Sequence, residues 1–462
     1  MARPELIEIL ERTITGEYCA VKDWDVKRIP RAIREKLKKY NLAQSFDADN
    51  PVNWDDSLAD EFYKAGFELA LELGMHSEST NRIVKISEGE LVDAVENAPS
   101  EIFVGEGDDG IWIRARKPED GTPMVYGASM AIMFPEDLWP IITEGIIREQ
   151  EVDIIEGPSL VTIYGSELRS GTPFETMAGY LHGIKNRELR EKAGRPGMGA
   201  VGCTTSVTEY GQFASYGVPG GFRPSDLSLC LFPSELKINN TVLHKVIHTH
   251  NLGGFVFGGS PAMIGGMSGP PEGSVLSAIA CSLLQYAVLH THVGGGEIYD
   301  IRSLTNVNRE GLWALSVTHQ ALSRNTHLLT HAIASEVCGP VTETFLLESL
   351  VGVGTIAVSG TAFGAGPRPA GGKLALYLTP LECRFTAEVA HNAAKLSRKK
   401  VNEIAKEILP RYEPRIANPN IGKPFTEAYD IETMTPTDEW QVIYEKVKAD
   451  AISLGFPFET DK

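Results

Sequence analysis

The stretch Ala193-Gly-Arg-Pro-Gly-Met-Gly-Ala-Val-Gly-Cys-Thr-Thr-Ser206 guides the interpretation of the whole chain. It holds four glycines and one proline, and it joins a predicted helix (residues 174–192) to a predicted short buried strand (residues 199–207). Glycine at such a junction allows positive φ or the close approach of a ligand. Taken alone, the stretch also fits an ordinary tight loop of a repetitive α/β protein.

On both sides of this stretch, strand-like apolar runs alternate with helical segments. We predict strands at residues 124–126, 153–155, 200–201, 227–232, 254–257, 297–301, 328–329 and 355–358. We predict helices at residues 140–149, 174–192, 234–244, 274–289, 309–322 and 342–350. Repeated βα units predict a parallel sheet, and about eight of them predict a closed barrel. The predicted fold class is α/β, a TIM (β/α)8 barrel over residues 121–380.

Helical segments flank the predicted barrel on both sides. Residues 1–120 should form a helical extension with a β-hairpin at residues 102–114, and Ser87 and Glu90 form a capping-box pattern. Residues 381–462 should form C-terminal helices, at 382–400 and 437–451, joined by an extended, proline-rich arm at 410–424.

Composition narrows the class of protein. The 462 residues carry a formal net charge of −18, which argues against a nucleic-acid-binding protein. The six cysteines are far apart and form no Cys-x-x-Cys pair, which is unlike a disulfide framework or a zinc ribbon. We find no signal-peptide core and no apolar run long enough to span a membrane. We therefore expect a cytoplasmic enzyme.

In a βα barrel the functional groups follow the carboxyl ends of the strands. Those positions are rich in glycine and small hydroxyls here, which predicts an open mouth with room for a flat, bulky cofactor. The glycines and serine expected to face that cofactor are Gly199, Gly202, Gly265, Gly266, Ser359 and Gly360. The loop at 359–366 also fits a plain glycine-rich rim loop.

Three side chains near these ends are candidate catalytic groups, namely Cys203, Glu235 and His248. Cys203 also fits a small buried packing residue. Pairs spaced by two residues would share one face of a strand and could chelate zinc: His248 with His250, His290 with His292, and Glu336 with Cys338. Each pair also fits a polar strand end, and we predict no tightly bound metal.

The motif Gly-Arg-Pro-Gly-Met-Gly-x-x-Gly resembles the monomethylamine:corrinoid methyltransferases of methanogenic archaea. Collinear matches cover nearly the whole chain: residues 23–25, 29–30, 64–67, 82–85, 193–199, 235–238, 248, 265–266, 305–306, 309–310, 339–340, 342–343, 422–425, 429–430, 435–437 and 454–455. The resemblance implies a TIM barrel, usually a homohexamer, that presents its mouth to a separate corrinoid protein.

The resemblance also shows where this chain departs from the family. Pyrrolysine, which captures the amine in that family, would fall at Val201, which can form no adduct. The family's assisting carboxylates would fall at about Leu229 and Gly259, and a Gln-x-Tyr pair would fall at Ile333 to Ser335. We therefore expect the scaffold and the corrinoid partner to be kept, but not capture of monomethylamine.

The resulting hypothesis is a non-pyrrolysine, corrinoid-dependent methyltransferase. It would move a methyl group from a small methylated compound, with a quaternary amine favoured because its nitrogen is already positively charged. The residues expected to bind that substrate are Leu229, Phe232, Phe257, Gly259, Glu297, Ile333, Ser335 and Glu336. Glu156, Glu235, Glu297 and Glu336 could add negative potential, although each also fits a helix cap or a rim charge. The alternatives are a metal-assisted methyltransferase or lyase, and a non-catalytic binding homologue.

Overall fold

Eight parallel strands close into a barrel at the centre of the chain. The computed structural model describes residues 4–458. The barrel strands are β1 (Val125–Ala128), β2 (Ile154–Ile155), β3 (Gly199–Gly202), β4 (Leu227–Leu231), β5 (Phe255–Ile264), β6 (Gly296–Asp300), β7 (His331–Ile333) and β8 (Phe363–Ala365). They pair in the order β6-β5-β4-β3-β2-β1-β8-β7. A bridge between Gly294 and Thr330 closes the ring beside β6 and β7.

Each strand is followed by a helix, as a (β/α)8 barrel requires. These are α1 (Trp139–Arg148), α2 (Pro173–Lys192), α3 (Glu209–Ser215), α4 (Asn240–Asn251), α5 (Pro271–Leu289), α6 (Arg309–Asn325), α7 (Glu343–Val358) and α8 (Pro380–Ala393). Side-chain caps fix several starts, for example Asn239 before α4 and Asn308 before α6. The predicted TIM barrel is confirmed.

The N-terminal extension covers one side of the barrel. Its helices are Pro4–Thr15, Val21–Asp23, Ile29–Lys39, Asp56–Leu73 and Glu88–Glu96, with a π-helical turn at Trp24–Arg28. Its strands Glu17–Tyr18, Met75–Ser77 and Arg82–Val84 form a small sheet with Lys237–Ile238. Asp56–Leu73 packs on α5 and α6. This second layer explains why α5, long and apolar enough to cross a membrane, is buried along its whole length.

A hairpin plugs the amino-terminal end of the barrel. Its strands Glu101–Val104 and Ile111–Arg114 pair antiparallel, joined by a short 3-10 turn at Gly107–Asp109. The Gly105 amide donates to the Ser225 carbonyl at 2.9 Å, just before β4. Ile102, Val104 and Ile113 join the apolar cluster inside the barrel. Only the opposite, carboxyl-terminal end can therefore serve as the mouth.

The C-terminal region is more helical than the sequence suggested. Its helices are Arg398–Tyr412, Phe425–Ala428 and Asp438–Ser453, with a 3-10 turn at Glu413–Arg415. The short strands Tyr429–Asp430 and Thr435–Pro436 pair with each other, and a further 3-10 turn at Pro369–Gly372 precedes α8. The predicted helix at 382–400 is two helices that end and restart around Ser397, whose side chain caps the second one. Pro410 lies inside that helix instead of opening an extended arm. The domain limits at 120 and 380 stay a prediction.

Three predicted barrel elements were wrong. The strand expected at 328–329 is a loop, and β7 begins only at His331. The helix expected at 234–244 is α4, which starts at Asn240 because the Asn239 side chain caps it. The strand expected at 355–358 is the last turn of α7, and β8 follows only at Phe363. Because α7 packs against both α8 and the helix Arg398–Tyr412, it is apolar on every side. Its sequence pattern therefore resembles that of a buried strand.

Candidate functional site

Apolar and aromatic side chains fill the middle of the barrel. Side chains that face inward from the strands, or from the residues just before β6 and β7, form one buried cluster: Val125, Ile154, Val201, Leu227, Leu229, Phe257, Val293, Leu329, Ile333, Phe363 and Ala365. The Phe257 ring lies 4.6 Å from the His331 ring and 5.5 Å from the Phe363 ring, measured between centroids. Burial lowers the pKa of His331 to about 3, so its ring is neutral. Phe257 is thus a core residue below the mouth.

Val201 lies in this cluster at the carboxyl end of β3 and is fully buried. Val201 is therefore not exposed at the rim of the mouth, because the neighbouring side chains cover it. Leu229 on β4 keeps 8% of its surface exposed, and Leu231, two residues further, keeps 47%. The opening of the barrel therefore lies above Val201, nearer to Leu231.

Two acidic side chains lie inside the same end of the barrel. Glu156 directly follows β2. In that strand the Ile154 side chain faces into the barrel and the Ile155 side chain faces outward. Because side chains alternate along a strand, the Glu156 side chain points inward. Glu297 lies on β6, and the two are 3% and 5% exposed. One oxygen of each, Glu156 Oε2 and Glu297 Oε1, has no hydrogen-bond partner. Buried carboxylate oxygens without a partner are costly, and such groups concentrate at functional sites.

Burial raises the pKa of both carboxyls, and for Glu156 the neighbouring charge of Glu297 raises it further. The Tyr299 hydroxyl donates to Glu297 Oε2 at 2.7 Å. His331 Nδ1 lies 4.0 Å from Glu297 Oε1. The site is therefore an acidic pocket that would gain from a bound cation.

Gly259 explains why Glu297 can occupy its position. A Cβ atom added to Gly259 would lie 2.7 Å from Glu297 Oε1, closer than van der Waals contact allows. The carboxylate of β6 thus occupies the space that a side chain on β5 would fill. The sequence predicted the loss of a charge at Gly259, and the structure places another acidic group beside that position.

Arg368 is the site residue that the sequence analysis missed. It lies three residues beyond β8 and is partly exposed. Its guanidinium carbon lies 5.6 Å from the centre of the Tyr299 ring, and Nη1 donates to Ser335 Oγ at 3.3 Å. Placing the eighth strand at 355–358 put the mouth loop too early in the chain. Gly366-Pro-Arg-Pro369 would have marked the position had β8 been assigned correctly.

Glu235 and Glu336 brace loops and face no open space. Glu235 accepts from the Met263 amide at 2.9 Å and from the Ser277 hydroxyl at 3.2 Å, and it also bonds Ser268. Glu336 accepts from the Ser349 hydroxyl at 2.8 Å and the Arg368 amide at 2.9 Å, and burial raises its pKa to about 7. The predicted role of Glu235 in catalysis finds no geometric support, whereas Glu336 holds the backbone of Arg368.

The two other candidate catalytic groups lie outside the barrel lumen. Cys203 Sγ is 3.4 Å from His182 Nδ1 on α2, and burial raises the pKa of the thiol to about 11. His248 is near the end of α4, where its ring packs 4.9 Å from Phe213 and Nε2 lies 3.1 Å from the Tyr216 carbonyl. Cys203 is therefore a packing residue, and the placement of His248 at the mouth was wrong.

Several of the predicted contact residues also lie elsewhere. The Phe232 ring packs where a side chain at outward-facing Gly258 would be, between β5 and the helices. A Cβ on Gly199 would meet Val104 of the hairpin, at the closed end of the barrel. Gly202 faces outward onto Phe222. These positions need glycine for packing and not for a cofactor.

The predicted rim loop at 359–366 is not one loop: residues 359–362 lie at the amino-terminal end of the barrel, and Phe363–Ala365 form β8. Ser359 and Gly360 end α7, beside Ser323 at the end of α6, because the helices run away from the mouth. Gly265 and Gly266, by contrast, form a turn directly after β5, at the mouth end. Only this last pair stays a prediction for cofactor contact.

The residue pairs proposed for chelation come together only in part: the His250 ring lies 6.4 Å from the His290 ring and 5.7 Å from the His292 ring, measured between centroids. His248 and His250 lie on a helix, where residues two apart point in different directions. Residues 4–458 contain no group of three or more His, Cys, Asp or Glu side chains arranged to hold a metal ion.

Comparison with known proteins agrees with the fold and the motif. Residues 5–456 match the family of the monomethylamine methyltransferase MtmB. The chain is 29% identical to monomethylamine methyltransferase MtmB3 of Methanosarcina barkeri (strain Fusaro / DSM 804) over 454 residues, 98% of each chain. The same identity and coverage relate it to MtmB of Methanosarcina mazei. The crystal structure of Methanosarcina barkeri MtmB superimposes with a TM-score of 0.94 at 28% identity, covering 99% of this chain and 100% of that one.

The match covers 98% of the chain in sequence and 99% in structure, so it includes the barrel and both flanking regions. The chain therefore belongs to the monomethylamine methyltransferase (MtmB) family and is a methyltransferase.

Proposed function

We propose that this enzyme moves a methyl group from a small quaternary ammonium compound to the corrinoid of a separate partner protein, without pyrrolysine. The observation that carries the proposal is the pair of buried carboxylates, Glu156 and Glu297, with unpartnered oxygens at the same end of the barrel as the apolar Val201. Such a pocket attracts a cation and offers no group that could capture an amine covalently.

A quaternary ammonium needs no covalent capture because its nitrogen is already positively charged. When the methyl–nitrogen bond breaks, the electron pair stays on nitrogen, and a neutral tertiary amine leaves without a proton. The corrinoid of the partner supplies the nucleophilic cobalt that accepts the methyl group. The chain itself has only to bind and orient the donor and to exclude water.

The residues at the mouth fit an external acceptor. The nearby thiol of Cys203 is fully protonated at neutral pH and faces α2, so it cannot take the methyl group. Glu156 and Glu297 can hold the cation, and Leu229 and Ile333 present apolar surface to its methyl groups. This chain would therefore bind the methyl donor, and the partner protein would carry the nucleophile. We extend the proposal to the family's homohexameric assembly in the cytoplasm.

An exposed apolar face supports subunit contacts. Phe174, Met177 and Tyr180 on α2 lie 37–49% exposed, beside Tyr210 and Phe213 on α3 at 48% and 36%. Large exposed patches of this kind mark interaction surfaces. Light scattering on the purified chain would give the number of subunits, and a monomer at micromolar concentration would contradict the assembly.

The experiment is a methyl-transfer assay with reduced corrinoid protein and a panel of methylated amines. We expect cobalt methylation, followed by absorbance, with quaternary ammonium compounds and none with monomethylamine. Glu297→Gln should lower the rate by at least tenfold, while Arg114→Met on the hairpin should leave it unchanged. The absence of methylation across the panel would count against the proposal.

A further inference from the structure

An arginine and two carboxylates meet in the mouth, on either side of one tyrosine. Tyr299 donates its hydroxyl to Glu297 Oε2 at 2.7 Å, and its ring faces the Arg368 guanidinium at 5.6 Å. The acidic and basic groups are thus separated by about one phenol ring. Neither Glu156 nor Glu297 lies within 4.0 Å of a lysine or arginine in residues 4–458, so neither forms an ion pair with Arg368. Burial raises the pKa of Glu297, and the charge of Arg368 offsets part of that rise.

We propose that the methyl donor is a zwitterion whose quaternary ammonium lies between Glu156 and Glu297 and whose carboxylate binds the guanidinium of Arg368. This rests on the proposed function and names its substrate class, a betaine-type compound. The charges of such a molecule are a few bonds apart, which suits two subsites separated by one aromatic ring.

Arg368 has donors available for a carboxylate. Only Nη1 has a hydrogen-bond partner among the described residues, the Ser335 hydroxyl at 3.3 Å. Nε and Nη2 have none, and the residue is partly exposed. A guanidinium edge with two such donors matches the two oxygens of a carboxylate. A donor without an anionic group would leave this cation close to the substrate's own positive charge.

The position of Arg368 is fixed by its neighbours. Its backbone amide donates to Glu336 Oε2 at 2.9 Å. Gly372 has φ +68°, and a Cβ there would lie 2.7 Å from Arg368 Nε, so the backbone passes directly beside the side chain. The Arg368 guanidinium is thus held by Tyr299, Ser335 and Gly372. Because it is already ordered, it loses little conformational entropy when a ligand binds, which favours affinity.

Isothermal titration calorimetry on the full chain, without corrinoid protein, tests the proposal. The probes are trimethylglycine, its methyl ester and tetramethylammonium. We expect trimethylglycine to bind about 10- to 100-fold more tightly than the ester, which has a similar shape but no anionic charge. Equal affinities for trimethylglycine and its ester would overturn the proposal without any variant.

Variants then assign the effect to Arg368. Arg368→Met should weaken trimethylglycine binding about 10- to 100-fold and leave tetramethylammonium binding unchanged or slightly tighter. The control is Arg114→Met, which removes an arginine that also lies over an aromatic ring, Trp112, at the closed end. Unchanged trimethylglycine affinity in Arg368→Met would overturn the assignment.

The binding experiment also separates this inference from the proposed function, because it measures binding without methyl transfer. Selective binding of trimethylglycine with no methyl transfer contradicts only the proposed function. Transfer from tetramethylammonium with no preference for the zwitterion contradicts only this inference.

Discussion

Replacing Gly259 by alanine tests whether the Glu297 carboxylate forms the cation site. The new Cβ would lie 2.7 Å from Glu297 Oε1, so the carboxylate must retreat by about 0.7 Å to reach ordinary contact. Leu231 Cδ2 at 3.6 Å from the same Cβ limits the sideways escape. The retreat stretches the 2.7 Å hydrogen bond from Tyr299.

The expected magnitude follows from two contributions. Weakening the hydrogen bond costs about 1 kcal/mol. Moving a carboxylate from about 4 to about 4.7 Å from a bound cation loses about 0.6 kcal/mol at an effective dielectric constant of about 20. Because the Tyr299 hydrogen bond is weakened in the free and the bound protein alike, it lowers stability, and only the electrostatic loss weakens cation binding, by about threefold. Global stability should change little, because alanine also lowers the entropy of the unfolded chain by about 0.4–1 kcal/mol.

The assay is calorimetric titration with tetramethylammonium, with thermal unfolding followed in parallel. Gly354→Ala on α7 is the matched control, since the nearest atom to its new Cβ is Val401 Cγ1 at 3.6 Å. We expect normal affinity for that variant. Gly259→Ala binding the cation as tightly as the unchanged chain, at the same melting temperature, would refute the assignment of Glu297 to the cation site.

Three further predictions concern titratable groups. Burial raises the pKa of Glu156 and Glu297, so the free protein holds protons that a bound cation would expel. Cation affinity should then rise with pH up to those pKa values in calorimetry, and a flat profile would contradict this. The Cys203→Ala variant should retain methyl-transfer activity. Because burial raises the pKa of the Cys203 thiol to about 11, this thiol should resist alkylation by iodoacetamide at pH 7.5 in the unchanged chain. Rapid alkylation would be evidence against a packing role. Burial disfavours the charge of His391, but the hydrogen bonds that its ring donates to Asp153 and Glu151 outweigh it and raise the pKa to about 10. Its stabilisation is complete below about pH 6.5 and is lost as pH rises towards 10, so the melting temperature should fall over that interval less in His391→Gln than in the unchanged chain.

Periodicity and glycine positions were enough to predict the barrel. Strands such as β3 and β4 are short apolar runs bounded by glycine and polar residues, and helices such as α2, which has a proline in its first turn, have a length that local sequence indicates. Where a helix is buried on all sides, as α7 is, local pattern cannot separate it from a strand. That single error displaced the predicted mouth loop and concealed Arg368.

The sequence by itself determined the eightfold alternation, the hairpin and the glycine-rich motif around Val201, and it predicted that Leu229 and Gly259 carry no charge at the mouth. Only the tertiary structure decided which acidic groups lie there. Glu297 lies 38 residues from Gly259 in the chain, yet its carboxylate fills the space above that glycine because β5 and β6 are neighbours in the barrel. Contacts between strands depend on register and on the closure of the ring, and neither is encoded in the spacing of residues along one strand.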